Sequence, residues 1–252
     1  MVGLTVPTSG TATINGEGFA DLPNPGLEVG VLLDASAQHA GRTGRETLRV
    51  AARTMGLPSS RVDEMLELVS LSPTEAARRV RNYSLGMRQR LGIAQAMLGQ
   101  PKVLILDEPA NGLDPAGIRE IRELLRGLAA EREMAVFVSS HLLAEIELTA
   151  DRVAIIHKGR ILRSGPVREL ISSNRVMEFR VGDADRAGAL LRERGLELTS
   201  DGDVLLASMD ENDAPPIVAM LVNNGIDVFH ARPRVQTLEE MFLDVTGGES
   251  VD

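Results

Sequence analysis

The sequence predicts an α/β fold in which a short parallel sheet is combined with helices. The first observation is the apolar run Val103–Leu106, which lies between Pro101 and Pro109 and is typical of a central strand buried on both faces. The second is that two further apolar runs, Val29–Leu33 and Ala135–Val138, have the same character. The third is the helical patterning of the residues between these runs.

Composition restricts the class of protein. The 252 residues suffice for one large domain or two. A hydrophobic fraction of 43% supports a core, and because only 2% of residues are aromatic, we expect it to consist of Leu, Val, Ile, Ala and Met. No apolar run approaches the ~20 residues of a membrane-spanning helix, and we recognise no signal peptide. The absence of cysteine excludes disulfides and a cysteine nucleophile, and a net charge of -9 argues against non-specific nucleic-acid binding.

Residues 43–98 are predicted to form an all-helical insert between two strands of the sheet. Thr43 and Glu46 have the Thr-x-x-Glu spacing of a capping box, and Ser72 begins a second helix start with the same spacing. A further helix is expected after Ser84, with its apolar residues on one stripe.

Residues 173–252 differ in character from those before them. Their strand and helix patterns follow the order β-α-β-β-α-β, which is typical of a small ferredoxin-like α+β domain. A last helix is expected after Thr237, which with Glu240 again has capping-box spacing. We therefore predict two domains, residues 1–172 and 173–252, the second serving as an accessory or dimerisation domain.

Polar motifs cluster around the predicted central strand. Asp107 and Glu108 directly follow it, and open α/β sheets bind ligands at that end of their strands. Taken alone, this pair is equally well explained as the charged end of a strand. Three more motifs accompany it, in the segments Tyr83–Arg90, Asn111–Asp114 and Ser139–His141.

Taken in order, these four motifs resemble those of the nucleotide-binding subunit of an ABC transporter. The resemblance covers residues 1 to about 170. It implies a P-loop NTPase-like ATPase core that is incomplete at its N-terminus. It also implies a helical subdomain at about residues 43–98, which in the family forms the surface that contacts the membrane subunit.

The resemblance gives a role to each motif residue. Asp107 takes the family's Mg²⁺-side position, acting through bound water, and Glu108 that of the general base beside the attacking water. His141 takes the position of an imidazole that holds a γ-phosphate oxygen or that water. Ser84 and Gly86 match the signature motif, whose helix N-terminus faces the γ-phosphate held by the opposite subunit.

Two aspartates occupy family positions with open roles. Asp34 lies where the family usually has a glutamine that links Mg²⁺ and water to the helical subdomain, and a carboxylate there changes the charge and shortens the reach. Asp114 closes the loop that normally crosses the dimer interface. An ordinary helix N-cap explains Asp114 before Pro115 equally well, and also explains Ser84.

The P-loop is the motif that the sequence does not contain. It requires Gly-Lys followed by Ser or Thr, whereas the lysines Lys102 and Lys158 follow proline and histidine. Residues 2–10 match the end of the helix that follows the P-loop in the family, so we expect this chain to begin after it. Three explanations stay open: a misplaced start of a complete ATPase, a decayed gene, and a degenerate subunit of a heterodimer.

The expected function is that of an ATP-binding subunit that couples ATP hydrolysis to transport, in the direction of drug or antibiotic export. Its expected cofactors are ATP and Mg²⁺. Its expected partners are a separate membrane permease and a second ATP-binding subunit, at the cytoplasmic face of the membrane and without nucleic acid. Without a P-loop the chain alone is not expected to hydrolyse ATP. The alternative is a non-catalytic or decayed subunit that only offers its signature face to a full-length partner.

Overall fold

In a computed structural model of the chain, the described residues are 2–172, 176–234 and 237–246. They belong to two compact units, Met1–His141 and Leu142–Asp252. None of the helices in these described ranges is long and apolar enough to cross a membrane.

The regular elements follow one another along both units. The strands are β1 Thr13–Ile14, β2 Glu17–Gly18, β3 Val29–Leu32, β4 Val103–Asp107, β5 Ala135–Ser139, β6 Arg152–His157, β7 Arg160–Pro166, β8 Val176–Val181, β9 Leu198–Asp201, β10 Val204–Ser208 and β11 Val228–Arg234. The α-helices are α1 Pro25–Glu28, α2 Gly44–Thr54, α3 Ser60–Leu68, α4 Pro73–Ala76, α5 Leu85–Ala96, α6 Pro115–Arg132, α7 Leu143–Thr149, α8 Val167–Ser172, α9 Ala184–Glu193, α10 Ala214–Asn223 and α11 Leu238–Thr246. Single 3₁₀ turns lie at Phe19–Asp21, Ala35–Ala37, Val80–Asn82 and Glu211–Asp213.

The sheet of the first unit has the order β3-β4-β5 with all three strands parallel, which confirms the predicted α/β class with the Val103 strand in the centre. Leu104 and Leu106 of β4 are almost fully buried. Gly30 of β3 allows close packing, because a Cβ at that position would lie 2.5 Å from the carbonyl oxygen of Ala96 on α5. The absence of a side chain therefore lets α5 lie directly against the strand.

Strand β5 is unusual for an edge strand. Within the described sheet it pairs only with β4, and its residues Ala135–Ser139 include no charge and no proline. Phe137 in its middle is 52% exposed. Natural edge strands usually carry charges, prolines or bulges that prevent further pairing, so β5 has the sequence of an internal strand at an external position.

The helical insert forms α2 to α5, as predicted. Both predicted capping boxes are present, at Thr43 with Glu46 and at Ser72 with Glu75. Tyr83 lies at the centre of the insert, 3% exposed, and its hydroxyl donates a hydrogen bond of 2.8 Å to the carbonyl oxygen of Glu75. The insert and the sheet share one hydrophobic core.

The second unit contains an antiparallel sheet with the order β11-β8-β10-β9. Numbered by their place in the β-α-β-β-α-β segment, the strands lie in the order 4-1-3-2, so the predicted ferredoxin-like topology is confirmed. Helices α9 and α10 contribute to its core, in which Phe179, Leu191, Leu205 and Leu221 are almost fully buried.

A separate small core in the same unit is formed by α7, the β6–β7 hairpin, α8 and α11. Its buried members include Ile155, Val167 and Leu238. The last helix thus packs with residues from before position 172 rather than with the ferredoxin-like core. The domain boundary between residues 172 and 173 stays a prediction.

Candidate active site

Parallel pairing brings the motifs after β4 and β5 to the same end of the sheet. Leu106 lies opposite Val138 and Asp107 opposite Ser139, so both strands end at the same level. Glu108 follows β4 directly, and His141 lies two residues beyond the end of β5.

Glu108 and His141 form the central contact of this site. Oε2 of Glu108 lies 2.9 Å from Nδ1 of His141, and Oε1 accepts a hydrogen bond of 3.1 Å from the His141 backbone N–H. The side chains are 33% and 47% exposed, so solvent and a ligand can reach both. One carboxylate therefore fixes both the ring and the backbone of the histidine. Because these contacts engage Nδ1, Nε2 is the ring nitrogen that can face a ligand.

The backbone of Glu108 is held in a left-handed conformation with φ of 46°. A non-glycine residue pays about 1 kcal/mol or more for this conformation, and such strain concentrates at functional sites. The Glu108 N–H donates to the carbonyl oxygen of Ser139 at 3.1 Å, which satisfies the backbone group at this sharp turn. The turn lets the carboxylate reach across to His141.

Ser139 links the Asp107 carboxylate to the backbone of Glu108, a function that sequence reasoning did not assign to it. Its hydroxyl donates to Oδ1 of Asp107 and lies 3.4 Å from the N–H of Glu108. The Asp107 carboxylate is exposed apart from this contact, so its other oxygen can face a hydrated cation. The signal that could have identified Ser139 is the register between β4 and β5, because that register places residues 107 and 139 side by side.

Ser84 and Gly86 lie at the start of α5. The Ser84 hydroxyl accepts a hydrogen bond of 3.2 Å from the N–H of Met87, as an N-cap does. Gly86 faces the loop after β4, because a Cβ there would lie 3.8 Å from Cδ2 of Leu113. Likewise, Gly112 in that loop approaches the side chain of Leu85. The described contacts therefore bring the signature segment against the 111–114 loop, and they do not include the Glu108–His141 pair.

Asp34 and Asp114 both act locally as caps. The carboxylate of Asp34 accepts from the hydroxyl of Ser36 at 2.9 Å and from its N–H at 2.6 Å, and these bonds hold the pKa of the Asp34 carboxyl below its usual value. Oδ1 of Asp114 accepts a hydrogen bond of 2.8 Å from the N–H of Gly117. The described contacts do not join either residue to Glu108 or His141.

The donor set fits one half of a Mg²⁺–nucleotide site. Among the described residues, no group of three or more His, Asp or Glu side chains is arranged to hold a metal by itself. Mg²⁺ usually takes one or two carboxylates and completes its shell with water and substrate phosphates, so Asp107 alone is a reasonable protein ligand. The other half, a glycine-rich phosphate loop with its lysine, does not occur in the sequence.

Comparison with known proteins identifies the family. The family model described as "ABC transporter" matches residues 1–111. The bacitracin transport ATP-binding protein BcrA of Bacillus licheniformis is 38% identical over 258 aligned positions, which include 100% of this chain and 84% of BcrA. The chain belongs to the ABC transporter family.

Other relatives agree with this assignment. The uncharacterized ABC transporter ATP-binding protein YhcH of Bacillus subtilis is 39% identical, with 98% of this chain and 81% of YhcH aligned. A solved dimer of the ATP-binding cassette MJ0796 in a post-hydrolysis state, bound to ADP and phosphate, has a TM-score of 0.58 and 22% identity, and the match covers 66% of this chain and 76% of that one. At this identity the structural match shows the fold alone, which is that of an ABC ATPase core.

Proposed function

We propose that the chain is the energy-coupling ATP-binding subunit of an ABC transporter, and that it couples ATP hydrolysis to export through a separate membrane permease. The observation that carries this proposal is the Glu108–His141 pair at the carboxyl end of β4 and β5. The names of its relatives support the substrate class, since BcrA is a bacitracin transport ATP-binding protein and SrtF of Streptococcus pyogenes, 35% identical over 64% of this chain, is a lantibiotic transport ATP-binding protein.

In the proposed mechanism Glu108 orients the attacking water and accepts its proton. General-base assistance of this kind contributes roughly 10²–10⁴-fold to a rate. His141, held through Nδ1 and its backbone N–H, directs Nε2 toward the water or a phosphate oxygen. Asp107, aligned by the Ser139 hydroxyl, would hold Mg²⁺, which supplies charge neutralisation on the phosphates when bound.

The phosphates themselves need a second source of ligands. The N-terminus of α5 offers free N–H groups and a positive dipole end beside Ser84 and Gly86. In a dimer, this surface would face the nucleotide held by a second ATP-binding subunit, and MJ0796 is a dimer in its post-hydrolysis state. We therefore propose a composite site, with Asp114 at the subunit interface and Asp34 in the loop that leads to the helical insert.

The proposed partners follow from this arrangement. The helical insert, residues 43–98, would contact the permease, and the subunit would then lie at the cytoplasmic face of the membrane as a peripheral protein. The ferredoxin-like segment that begins after residue 172 would act as an accessory or dimerisation domain.

A degenerate, non-catalytic subunit is the second candidate. It is favoured by one observation: no Gly-Lys-Ser or Gly-Lys-Thr occurs among these 252 residues. Such a subunit would offer Ser84 and Gly86 to a full-length partner and leave its own half-site without nucleotide.

Nucleotide binding and turnover separate the two candidates. We expect the 252-residue chain to bind MgATP weakly, and a chain extended upstream by a strand and a Gly-x-x-x-x-Gly-Lys-Thr loop to bind and hydrolyse it. In that extended chain, Glu108→Gln should lower the hydrolysis rate at least ~10²-fold and leave binding intact. Glu123→Gln, which changes an exposed carboxylate on α6, is the matched control.

Two outcomes would count against the proposal. Hydrolysis by the extended Glu108→Gln variant at the unaltered rate would remove Glu108 from the catalytic machinery. An extended chain that binds MgATP but never hydrolyses it, even with a full-length partner, would favour the degenerate subunit.

A further inference from the structure

Helix α10 has the composition of a buried helix although one of its sides is open. Its ten residues, Ala214–Asn223, include no charged side chain, and Asn223 is the only polar residue among them. A helix that is apolar on all sides is normally covered on all sides. Ile217 and Leu221 are buried in the ferredoxin-like core, whereas Val222 is 54% exposed. Within the described residues, one apolar face of α10 therefore lies without cover.

This open face forms one wall of a groove of about 660 Å³. Helix α10 lines the groove with two rows of side chains, and Met177 of β8 with Ala231 and Pro233 of β11 line it from the sheet. Small side chains such as Ala219 and Ala231 leave the space between helix and sheet open. Small-molecule sites usually have volumes of about 300–1,000 Å³ and a mostly apolar lining. The groove therefore has the size and the lining of a small-molecule site.

One charged side chain lines the groove, that of Glu211. Glu211 lies in the 3₁₀ turn before α10, and its carboxylate makes no hydrogen bond or ion pair in the described parts of the chain. The neighbouring Asp210 differs, because its Oδ1 accepts a hydrogen bond of 3.0 Å from the N–H of Asn212 and so caps this turn. Glu211 has no such local role, and its charge is available to a ligand.

The arginines of β11 do not pair with this carboxylate. Arg232 and Arg234 lie on either side of the lining residue Pro233, and successive side chains of a strand point to opposite faces of the sheet. Their partners are other carboxylates, those of Glu178, at 2.7 Å, and of Glu240. The groove thus combines an apolar lining with one negative charge that no ion pair balances among the described residues.

We propose that this groove binds an apolar organic cation, whose apolar body lies between α10 and β11 and whose charge lies beside Glu211. Apolar contact supplies the affinity, and the carboxylate selects the sign of the charge. The site lies within the ferredoxin-like segment and contains no residue of the Glu108–His141 site. It therefore goes beyond the proposed function and does not depend on it.

Two ions of the same shape and opposite charge provide the test. Tetraphenylphosphonium and tetraphenylborate both carry four phenyl rings, and isothermal titration calorimetry measures their affinities for the full 252-residue chain. We expect the phosphonium to bind with a Kd below about 1 mM and the borate to bind at least about fivefold more weakly. The ring currents of the bound phenyl groups should shift the methyl NMR signal of Met177, which lines the groove and can be assigned with Met177→Leu.

Substitutions at the groove separate the two contributions to binding. Glu211→Gln keeps the size of the side chain but removes its charge, so the phosphonium should bind about two- to fivefold more weakly. Glu211→Lys should reverse the preference between the two ions. Glu193→Gln, which changes an exposed carboxylate at the end of α9, is the matched control and should leave both affinities unchanged. Ala219→Leu fills the groove with a good helix former and should weaken the binding of both ions about tenfold or more.

Neither readout arises from a side chain that these four variants replace, because one is the affinity and the other is the shift of the Met177 signal on adding the ion. Absence of phosphonium binding at about 1 mM would overturn the proposal, as would equal affinities for the two ions or an unchanged phosphonium affinity in Glu211→Gln. Binding that leaves the Met177 signal in place, or that persists in Ala219→Leu, would place the ion elsewhere and would also overturn it.

A second copy of the chain is the other occupant that the open face of α10 could accept. Sedimentation equilibrium tests this occupant directly. We expect the wild type and Ala219→Leu to have the same mass in solution. A wild-type dimer that Ala219→Leu converts to a monomer would show that a second copy covers α10, and the proposed ligand site would then be wrong. A failure of ATP binding or hydrolysis affects none of these measurements.

Discussion

The position of β5 at the edge of the sheet can be tested by comparing two apolar truncations on neighbouring strands. Leu104 in β4 is fully buried, and its Cδ1 would lie 2.9 Å from a Cβ placed on Gly30, so the strands pack closely around it. Leu→Ala at such a site costs about 2–5 kcal/mol, and because these dense surroundings cannot collapse fully, we expect Leu104→Ala to cost at least the middle of that range, about 3–4 kcal/mol. Phe137 in β5 is 52% exposed. Burying a whole aromatic side chain contributes about 1.5–3 kcal/mol, and only about half of Phe137 is buried. Phe137→Ala should therefore cost only about 1 kcal/mol, well below the cost of about 3–5 kcal/mol for Phe→Ala in a core.

The assay uses the single tyrosine of the chain. Since there is no tryptophan, the intrinsic fluorescence comes from Tyr83, which lies in the first unit and reports on that unit alone. Urea unfolding followed by this signal gives the midpoint and slope for each variant, and an unchanged slope validates the comparison. Equal losses of about 3 kcal/mol for Leu104→Ala and Phe137→Ala would refute the reasoning, because Phe137 would then be covered and β5 would be an internal strand.

Two further predictions concern single buried contacts. Tyr83→Phe should lower the free energy of unfolding by about 1–2 kcal/mol, because the Glu75 carbonyl oxygen loses its 2.8 Å donor, and thermal unfolding followed by circular dichroism measures this. Gly44→Ala places a Cβ 2.2 Å from the Tyr83 hydroxyl, so it should destabilise the wild type more than the Tyr83→Phe variant, and equal losses in both backgrounds would contradict this packing. The 2.8 Å hydrogen bond with His230 is the main cause that holds the pKa of Glu178 below its usual value. A lowered folded-state pKa stabilises the fold above the ordinary carboxyl pKa of about 4.3, and this advantage is lost as the pH falls through the folded-state pKa. Amide exchange in β8 should therefore show that the wild type is more stable than Glu178→Gln near neutral pH and equally stable in strong acid. If the difference in stability persisted in strong acid, the lowered pKa of Glu178 would not be its cause.

The features that the sequence predicted correctly depend on local chemistry. The central strand could be predicted because the run Val103–Leu106 is apolar at every position, which a half-exposed strand does not permit. Helix starts could be predicted at Thr43, Ser72 and Thr237 because a capping box needs only four consecutive residues. The ferredoxin-like topology followed from the order of short elements, since few arrangements accommodate that order.

The features that the sequence did not predict depend on contacts between distant residues. Nothing local to Glu108 indicates its left-handed backbone, which is imposed by the strand end and by the carbonyl oxygen of Ser139. The bridging hydroxyl of Ser139 depends on the register between β4 and β5, and the Glu147–Leu238 bond depends on the packing of two helices that are far apart in sequence. Apolar periodicity predicts that α11 has a buried face but not which surface covers it.

The seven predicted site residues differ in what their polar atoms already do, and this difference constrains how each can act. The side chains of Ser84, Asp34 and Asp114 each accept a hydrogen bond from a nearby backbone N–H group, so each already has a role as a local cap. At the start of α5, Ser84 organises backbone N–H groups that can themselves face an anion. Glu108 and His141 bind each other across 33 positions, and their bond serves no helix start. A tertiary carboxylate–imidazole contact at the exposed end of a parallel sheet has no evident role in local folding, which is why the proposed chemistry rests on that pair rather than on the caps.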